Sequence, residues 1–322
     1  MNIKLSAIAA RRGGWFDRND AVLAGYTDDE IGRRVRQGRW IRLCRGAYTE
    51  PQPADEGRPR WDRERQQHAL AAKAIYHRLG GRAIVSHQSA LLLHGVEVSE
   101  LDLSRVHVTR VTGLGRSSGS LCQHAARPPV STPVEIQQVL ATPGPRAVVE
   151  AIRSTPYWVA VSVVDAALRQ GVATAEQLSS ALDLFIGRSG IRTAATAVSF
   201  GDGLSESVGE SRLRVLLADL GLPAPILQAK ICDATGRLVG RVDFLLACWG
   251  VIIEFDGAVK YAGSGGSTAL VAEKVREDRL RDLGYQVVRV MWADFLQPAA
   301  FAARLRSAIA RSESPAVGYF AR

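Results

Sequence analysis

The residues best suited to chemistry lie in one stretch, residues 240–260, GRVDFLLACWGVIIEFDGAVK. Two apolar runs, 241–246 and 251–255, flank Cys248-Trp249-Gly250 and read as strand, turn, strand. Side chains alternate faces along a strand. Arg241, Asp243 and Leu245 therefore share one face of the first strand, and Ile252, Glu254 and Asp256 one face of the second. If the strands pair, Asp243, Glu254 and Asp256 converge. Three adjacent carboxylates repel one another and are costly to desolvate. Their natural partner is a divalent cation held by oxygen ligands, Mg2+ or Mn2+. Gly257 lets the chain turn at once, and Lys260 follows as a cation near the same place. The alternative is that each acid is a solvated strand end.

The same residues carry a resemblance. An Asp, about ten residues, a Glu, and a Glu on an upstream helix resemble the PD-(D/E)XK nuclease superfamily. More narrowly, the chain from Glu210 to Val290 resembles a bacterial domain family related to the very-short-patch repair endonucleases. The matching residues are Glu210, Arg241-Val242-Asp243, Glu254-Phe255-Asp256-Gly257, the charged segment 273–281, and Gly284-Tyr285-Gln286-Val287-Val288-Arg289. Two positions depart from the pattern: Asp256 stands where the superfamily has lysine, and Lys260 where the repair enzymes have histidine. The resemblance implies a restriction-endonuclease-like core in which Asp243, Glu254 and Asp256 are metal ligands. It also makes Glu210 a ligand or water orienter and Lys260 the cation beside the attacking water or scissile phosphate.

At 322 residues the chain has length for two or three domains, and its 47% hydrophobic content is that of a globular protein. No apolar run spans a bilayer, and the N-terminus lacks a signal-peptide pattern, so a cytoplasmic protein without a membrane partner is expected. The four cysteines, Cys44, Cys122, Cys232 and Cys248, are scattered without metal-ligand spacing. A net charge of +9 favours a polyanionic partner.

That charge clusters near the start. Residues 3–20 read as a short helix and a turn at Gly13-Gly14, and residues 16–25 as a second helix entered through Asp17 or Asn19. Thr27 and Glu30 form a capping box opening a third helix that ends near Gly38. Residues 40–43 and 46–49 read as two strands about a turn at Cys44-Arg45. Three helices and a hairpin give a winged helix-turn-helix layout over 1–50. Arg33, Arg34, Arg36, Arg39, Arg42 and Arg45 fall on its recognition helix and wing with no acid among them. Such a face suits DNA phosphates and groove insertion; the alternative is a solvated helix face. Gly14-Trp15-Phe16, the Ala21–Gly25 helix end and the run Gly38 to Tyr48 resemble the N-terminal domain of AbiEi-family antitoxins. That resemblance implies a regulator of its own promoter and a cognate toxin as possible partner.

Residues 51–60 read as a linker and 61–203 as a middle α/β region. In it, 61–79 is a helix, 83–86 a strand, and Ser86 caps a helix that carries His87 and His94. Strands are expected at 106–109 and 121–124, and helices at 145–152, 157–169, 174–185 and 187–203. Ser86-His87-Gln88-Ser89-Ala90 resembles the segment that follows the DNA-binding domain in the same antitoxin-like proteins. No third catalytic group accompanies Ser86 and His87, so a cap and a structural histidine are expected. His107 and His124 lie in strands without metal spacing.

Residues 204–312 form the third part. A helix capped by Ser207 carries Glu210; strands follow at 226–232, 238–246 and 251–255, then a helix at 269–283, a strand at 285–291 and a helix at 294–310. Periodicity alone gives the order αβββαβα. Residues 262–267 are a Gly/Ser loop, and Arg276 and Arg279 on the helix behind it are candidate DNA-backbone contacts. Residues 313–322 are a tail. The expectation is a multidomain α/β DNA-binding protein with a metal-dependent endonuclease domain. The alternative is an antitoxin-type transcriptional regulator in which that domain is an inactive scaffold.

Overall fold

A computed structural model describes residues 1–52, 57–112, 117–129, 132–257, 266–312 and 320–321. Among the described residues the fold is mixed α/β with three sheets, and the chain divides into two compact units, Met1–Gly201 and Asp202–Arg322.

The first unit opens with α1 (Ile3–Arg11), β1 (Phe16–Asp17), α2 (Arg18–Leu23), α3 (Asp28–Arg36), β2 (Ile41–Cys44) and β3 (Ala47–Thr49). Two reciprocal caps set the helix starts: Asp17 with Asp20 for α2, and Thr27 with Glu30 for α3. Phe16 and Asp17, which read as the start of a helix, instead pair with Tyr48 and Ala47 and complete an antiparallel sheet in the order β1-β3-β2. Leu5, Phe16, Tyr26, Ile31 and Trp40 form the core beneath it. Trp40 meets Phe16 and Tyr26 edge-on, with centroids 4.7 and 5.1 Å away, the arrangement the ring quadrupoles favour.

The unit continues with α4 (Arg60–Arg78), β4 (Ala83–Val85), α5 (His87–Leu93), β5 (Val106–Arg110), β6 (Leu121–Ala125), β7 (Val134–Ile136) and β8 (Val139–Ala141). Then come α6 (Gly144–Ile152), α7 (Tyr157–Arg169), α8 (Ala175–Asp183) and α9 (Ile191–Phe200). The sheet order is β6-β5-β4-β8-β7. It is mixed: β5 runs parallel to β6 and β4 to β8, and the other two pairings are antiparallel. The β7–β8 hairpin was not legible because its turn residues, Gln137 and Gln138, take positive φ (49° and 68°) without the Gly or Asn that usually marks such a turn. Helix α7 is buried along most of its length, which explains its nearly continuous apolar sequence.

The second unit comprises α10 (Val208–Asp219), β9 (Ile226–Cys232), β10 (Leu238–Leu246), β11 (Val251–Phe255), α11 (Gly266–Asp282), β12 (Gln286–Val290), α12 (Pro298–Arg311) and β13 (Phe320–Ala321). Its sheet order is β12-β11-β10-β9-β13. Only β11 and β12 run parallel, joined by the α11 crossover, while the other pairs are antiparallel. Leu213, Leu217, Phe244, Ile253, Phe301 and Leu305 pack α10 and α12 on one face. Leu245, Ile252, Leu280 and Tyr285 pack α11 on the other. The β10–β11 connection is a 3₁₀ turn ended by Gly250 at φ 60°, a conformation costly for any residue with a Cβ.

Candidate functional site

The carboxylates are positioned by β10, β11 and α10. The β10–β11 ladder pairs Phe244 with Ile253 and Leu245 with Ile252, so one further step sets Asp243 opposite Glu254. Asp243 Oδ2 accepts a hydrogen bond from the Phe255 N–H at 2.9 Å. Glu210 lies in the first turn of α10 and is buried. Its carboxylate accepts from the Glu206 N–H (2.9 Å), the Ser207 hydroxyl (2.8 Å) and the Gln228 side-chain amide (3.0 Å). Gln228 has φ 52° and stands where the β9–β10 ladder omits the rung facing Asp243. Such strain persists only where the surroundings enforce it.

Burial raises the Glu210 and Glu254 carboxyls above the ordinary range, and the nearby Asp243 charge adds to both shifts. In Glu254 the rise is opposed by Arg276, whose Nη2 lies 2.8 Å from Oε1. The same nitrogen lies 2.7 Å from Glu273, and Arg276 Nη1 donates to the Arg241 carbonyl. Arg276, expected to reach out to DNA, is thus turned inward as a resident counterion. Asp256 Oδ2 lies 3.9 Å from Arg289 Nη1. Arg279 lines a shallow cavity with Asp233, Arg237 and Asp282. Lys260 and the loop residues 262–265 lie outside the described residues, while Gly266 and Ser267 belong to α11.

Oxygen-only donors suit Mg2+ or Mn2+ in type. In geometry they do not close around one ion. Among the described residues, no three carboxylates bring one oxygen each within 4.8 Å of the others, and Glu254 already has a cation.

The arginines of the first unit divide. Arg33 and Arg36 on α3, Arg39 in the turn that follows it, and Arg42 and Arg45 on the β2–β3 hairpin are all exposed. Arg34 is half-buried, its guanidinium 4.9 Å from the Tyr26 ring centre and 5.3 Å from that of Trp40. It serves the core through cation–π contact rather than the open face.

One cluster was not legible in the sequence. His87, His107 and His124 each offer a ring nitrogen, and these atoms lie within 4.8 Å of one another. The expected Ser86 side-chain cap does not form; the Ser86 hydroxyl lies 3.0 Å from His87 Nδ1 instead. Only the parallel β5–β6 register, which pairs His107 with Cys122 and Thr109 with His124, brings the distant positions together. By contrast, His94 lies outside this cluster, its Nε2 2.9 Å from the Thr142 carbonyl oxygen.

No helix among the described residues is long and apolar enough to cross a membrane. A family model described as "Transcriptional regulator, AbiEi antitoxin" matches residues 4–51, from α1 through β3. This agrees with the resemblance of the N-terminal segment, and it does not reach the second unit. Two Mycobacterium tuberculosis proteins, "Uncharacterized protein MT2308" of strain CDC 1551 / Oshkosh and "Uncharacterized protein Rv2248" of strain H37Rv, are each 28% identical to this chain over 295 residues. The alignments cover 87% of this chain and 96% of each relative.

Proposed function

We propose that this chain is a DNA-binding transcriptional regulator of the antitoxin type. The observation that carries the reading is the exposed face of Arg33, Arg36, Arg39, Arg42 and Arg45, in a segment with no acid from Ile31 to Thr49. The α1–α3 helices and the β2–β3 hairpin are read as a winged helix-turn-helix, with α3 entering the major groove and the hairpin on the backbone. A cognate toxin is the protein partner this reading implies, and autoregulation is the role. The test is fluorescence anisotropy with DNA from upstream of the chain's own coding sequence, over a range of salt. Arg39→Ala with Arg42→Ala should weaken binding about tenfold or more and lower the salt slope by about 0.9 for each phosphate no longer neutralised. Unchanged affinity and slope in the double variant would remove the reading.

In the same proposal the second unit has a PD-(D/E)XK-like core that serves as a scaffold. The nuclease alternative is favoured by one observation, the buried grouping of Glu210 and Glu254 about Asp243. Arg276 weighs against it, because the ion pair with Glu254 fills the charge a metal would supply. Supercoiled plasmid incubated with Mg2+ or Mn2+ should stay intact. Cleavage that disappears in both Asp243→Asn and Glu254→Gln would instead establish the endonuclease.

A further inference from the structure

We propose that His87, His107 and His124 form a binding site for a divalent transition metal ion of the zinc class. They come from three elements of the first unit: the start of α5, the second residue of β5 and the fourth of β6. Each offers one ring nitrogen, and these atoms lie within 4.8 Å of one another. His107 Nδ1 is 2.9 Å from His124 Nε2. Zinc bonds of about 2.05 Å to nitrogen at tetrahedral angles put two nitrogens about 3.3 Å apart. Three imidazoles leave the fourth tetrahedral position for water or an added ligand. Imidazole donors select zinc-class ions over Mg2+ or Ca2+.

The surroundings are those of a held ligand set. His87 Nδ1 lies 3.0 Å from Ser86 Oγ and 3.6 Å from Glu150 Oε2, leaving Nε2 for the cluster. A hydroxyl and a carboxylate behind an imidazole are what fix the tautomer of metal-bound histidines. Glu150 is anchored by Arg146 at 2.7 Å, and Arg146 also donates to the carbonyls of Pro128 and Pro129. Gln88 Nε2 donates to the Asp102 carbonyl at 3.0 Å and stands 3.0 Å from His107 Nε2. The Thr109 hydroxyl, across the ladder from His124, is buried without a hydrogen-bond partner among the described residues. Burial first, and neighbouring positive charge second, hold all three imidazoles below their ordinary range, His107 at about 4, so they are neutral at pH 7. His87 takes φ 55° to bring its ring within 3.8 Å of the His124 ring, a strained conformation that a buried apolar contact would not need.

The experiment uses the untagged full chain, stripped with chelator, titrated with Zn2+ against an indicator and with Co2+ by absorption. One zinc per chain is expected. Co2+ should give the strong visible bands of a tetrahedral site. His124→Gln and His107→Gln should lower zinc affinity by about 100-fold or more, beyond the loss typical of outer ligands. Asp243→Asn should alter neither affinity nor spectrum. The proposal is overturned if wild-type chain takes up no zinc at about tenfold excess, or gives only the weak spectrum of octahedral cobalt. Zinc affinity that survives the histidine variants, or falls in Asp243→Asn, overturns it equally.

Discussion

The two five-stranded sheets each gather ionisable side chains beside a non-glycine residue in left-handed backbone, His87 at φ 55° in one and Gln228 at φ 52° in the other. Such a conformation costs about 1–2 kcal/mol. The clusters then meet the cost of burial in opposite ways. The imidazoles give up their charge and keep their lone pairs. Among the carboxylates, Glu254 instead takes in Arg276, which joins it to Glu273. A cluster that stays neutral remains open to an added cation, whereas one that has captured a side-chain cation does not. The acidic grouping therefore already holds a side-chain cation at Glu254, and the quieter histidines are the cluster proposed to take up an added one.

Removing the resident cation gives the largest effect by which to break this contrast. Arg276→Met leaves Glu254, which is only 14% exposed in its side chain, beside Asp243 without its counterion. The second unit should lose about 3 kcal/mol in urea denaturation. Added Mg2+ at millimolar concentration should restore part of that loss in the variant and none in wild type. If wild type gains equally, Arg276 is not standing where a metal would act.

Gly209 tests how α10 is held against β11. An added Cβ would fall 1.9 Å from the Phe255 ring, which also packs on Trp292 and Phe295. Gly209→Ala should cost about 2 kcal/mol through overpacking. It should also disturb the Phe255 N–H bond to Asp243 while leaving zinc affinity in the first unit unchanged.

The pH dependence should separate the clusters by sign. The histidines have folded values below 6.5, so the unfolded chain takes up protons first as pH falls. Their contribution is full above pH 6.5 and is lost on descent toward about 4, the value for His107. Glu210 and Glu254 have folded values above 4.5, so their contribution is present at low pH and is lost as pH rises through those values. Hydrogen exchange at pH 7 and pH 5 should show the first unit weakening by roughly 1–2 kcal/mol relative to the second. His107→Gln should reduce the difference.

Much of this arrangement was legible because it is local. The pairing of Asp243 with Glu254 follows from alternation across one tight turn, and Thr27 with Glu30 is written in four consecutive residues. The capping role of Ser207 is likewise local. What escaped depends on long-range register or on competition between partners. His107 and His124 meet only because β5 and β6 run parallel, and no spacing rule carries that information. Arg34 and Arg276 looked like their exposed neighbours, but a ring pair captured one and a buried glutamate the other. Ser86 has the sequence of a cap, yet its hydroxyl faces the adjacent imidazole.

Gln228 offers the smallest and sharpest test, because strain and hydrogen bonding can be separated there. Its amide donates to Glu210 at 3.0 Å while its backbone stays at φ 52°. Both Gln228→Ala and Gln228→Gly remove that bond, but only glycine relieves the backbone. Gln228→Gly should therefore be nearly neutral, the relief offsetting the missing bond, with Gln228→Ala about 1 kcal/mol less stable than the glycine variant. Equal stabilities in urea would mean that the backbone relaxes once the side chain is gone. The strain would then originate in the Glu210 contact itself, with the sheet adapting to the carboxylate. A gap of the expected size would place the strain in the missing rung beside Asp243, built into the sheet whether or not Glu210 is held.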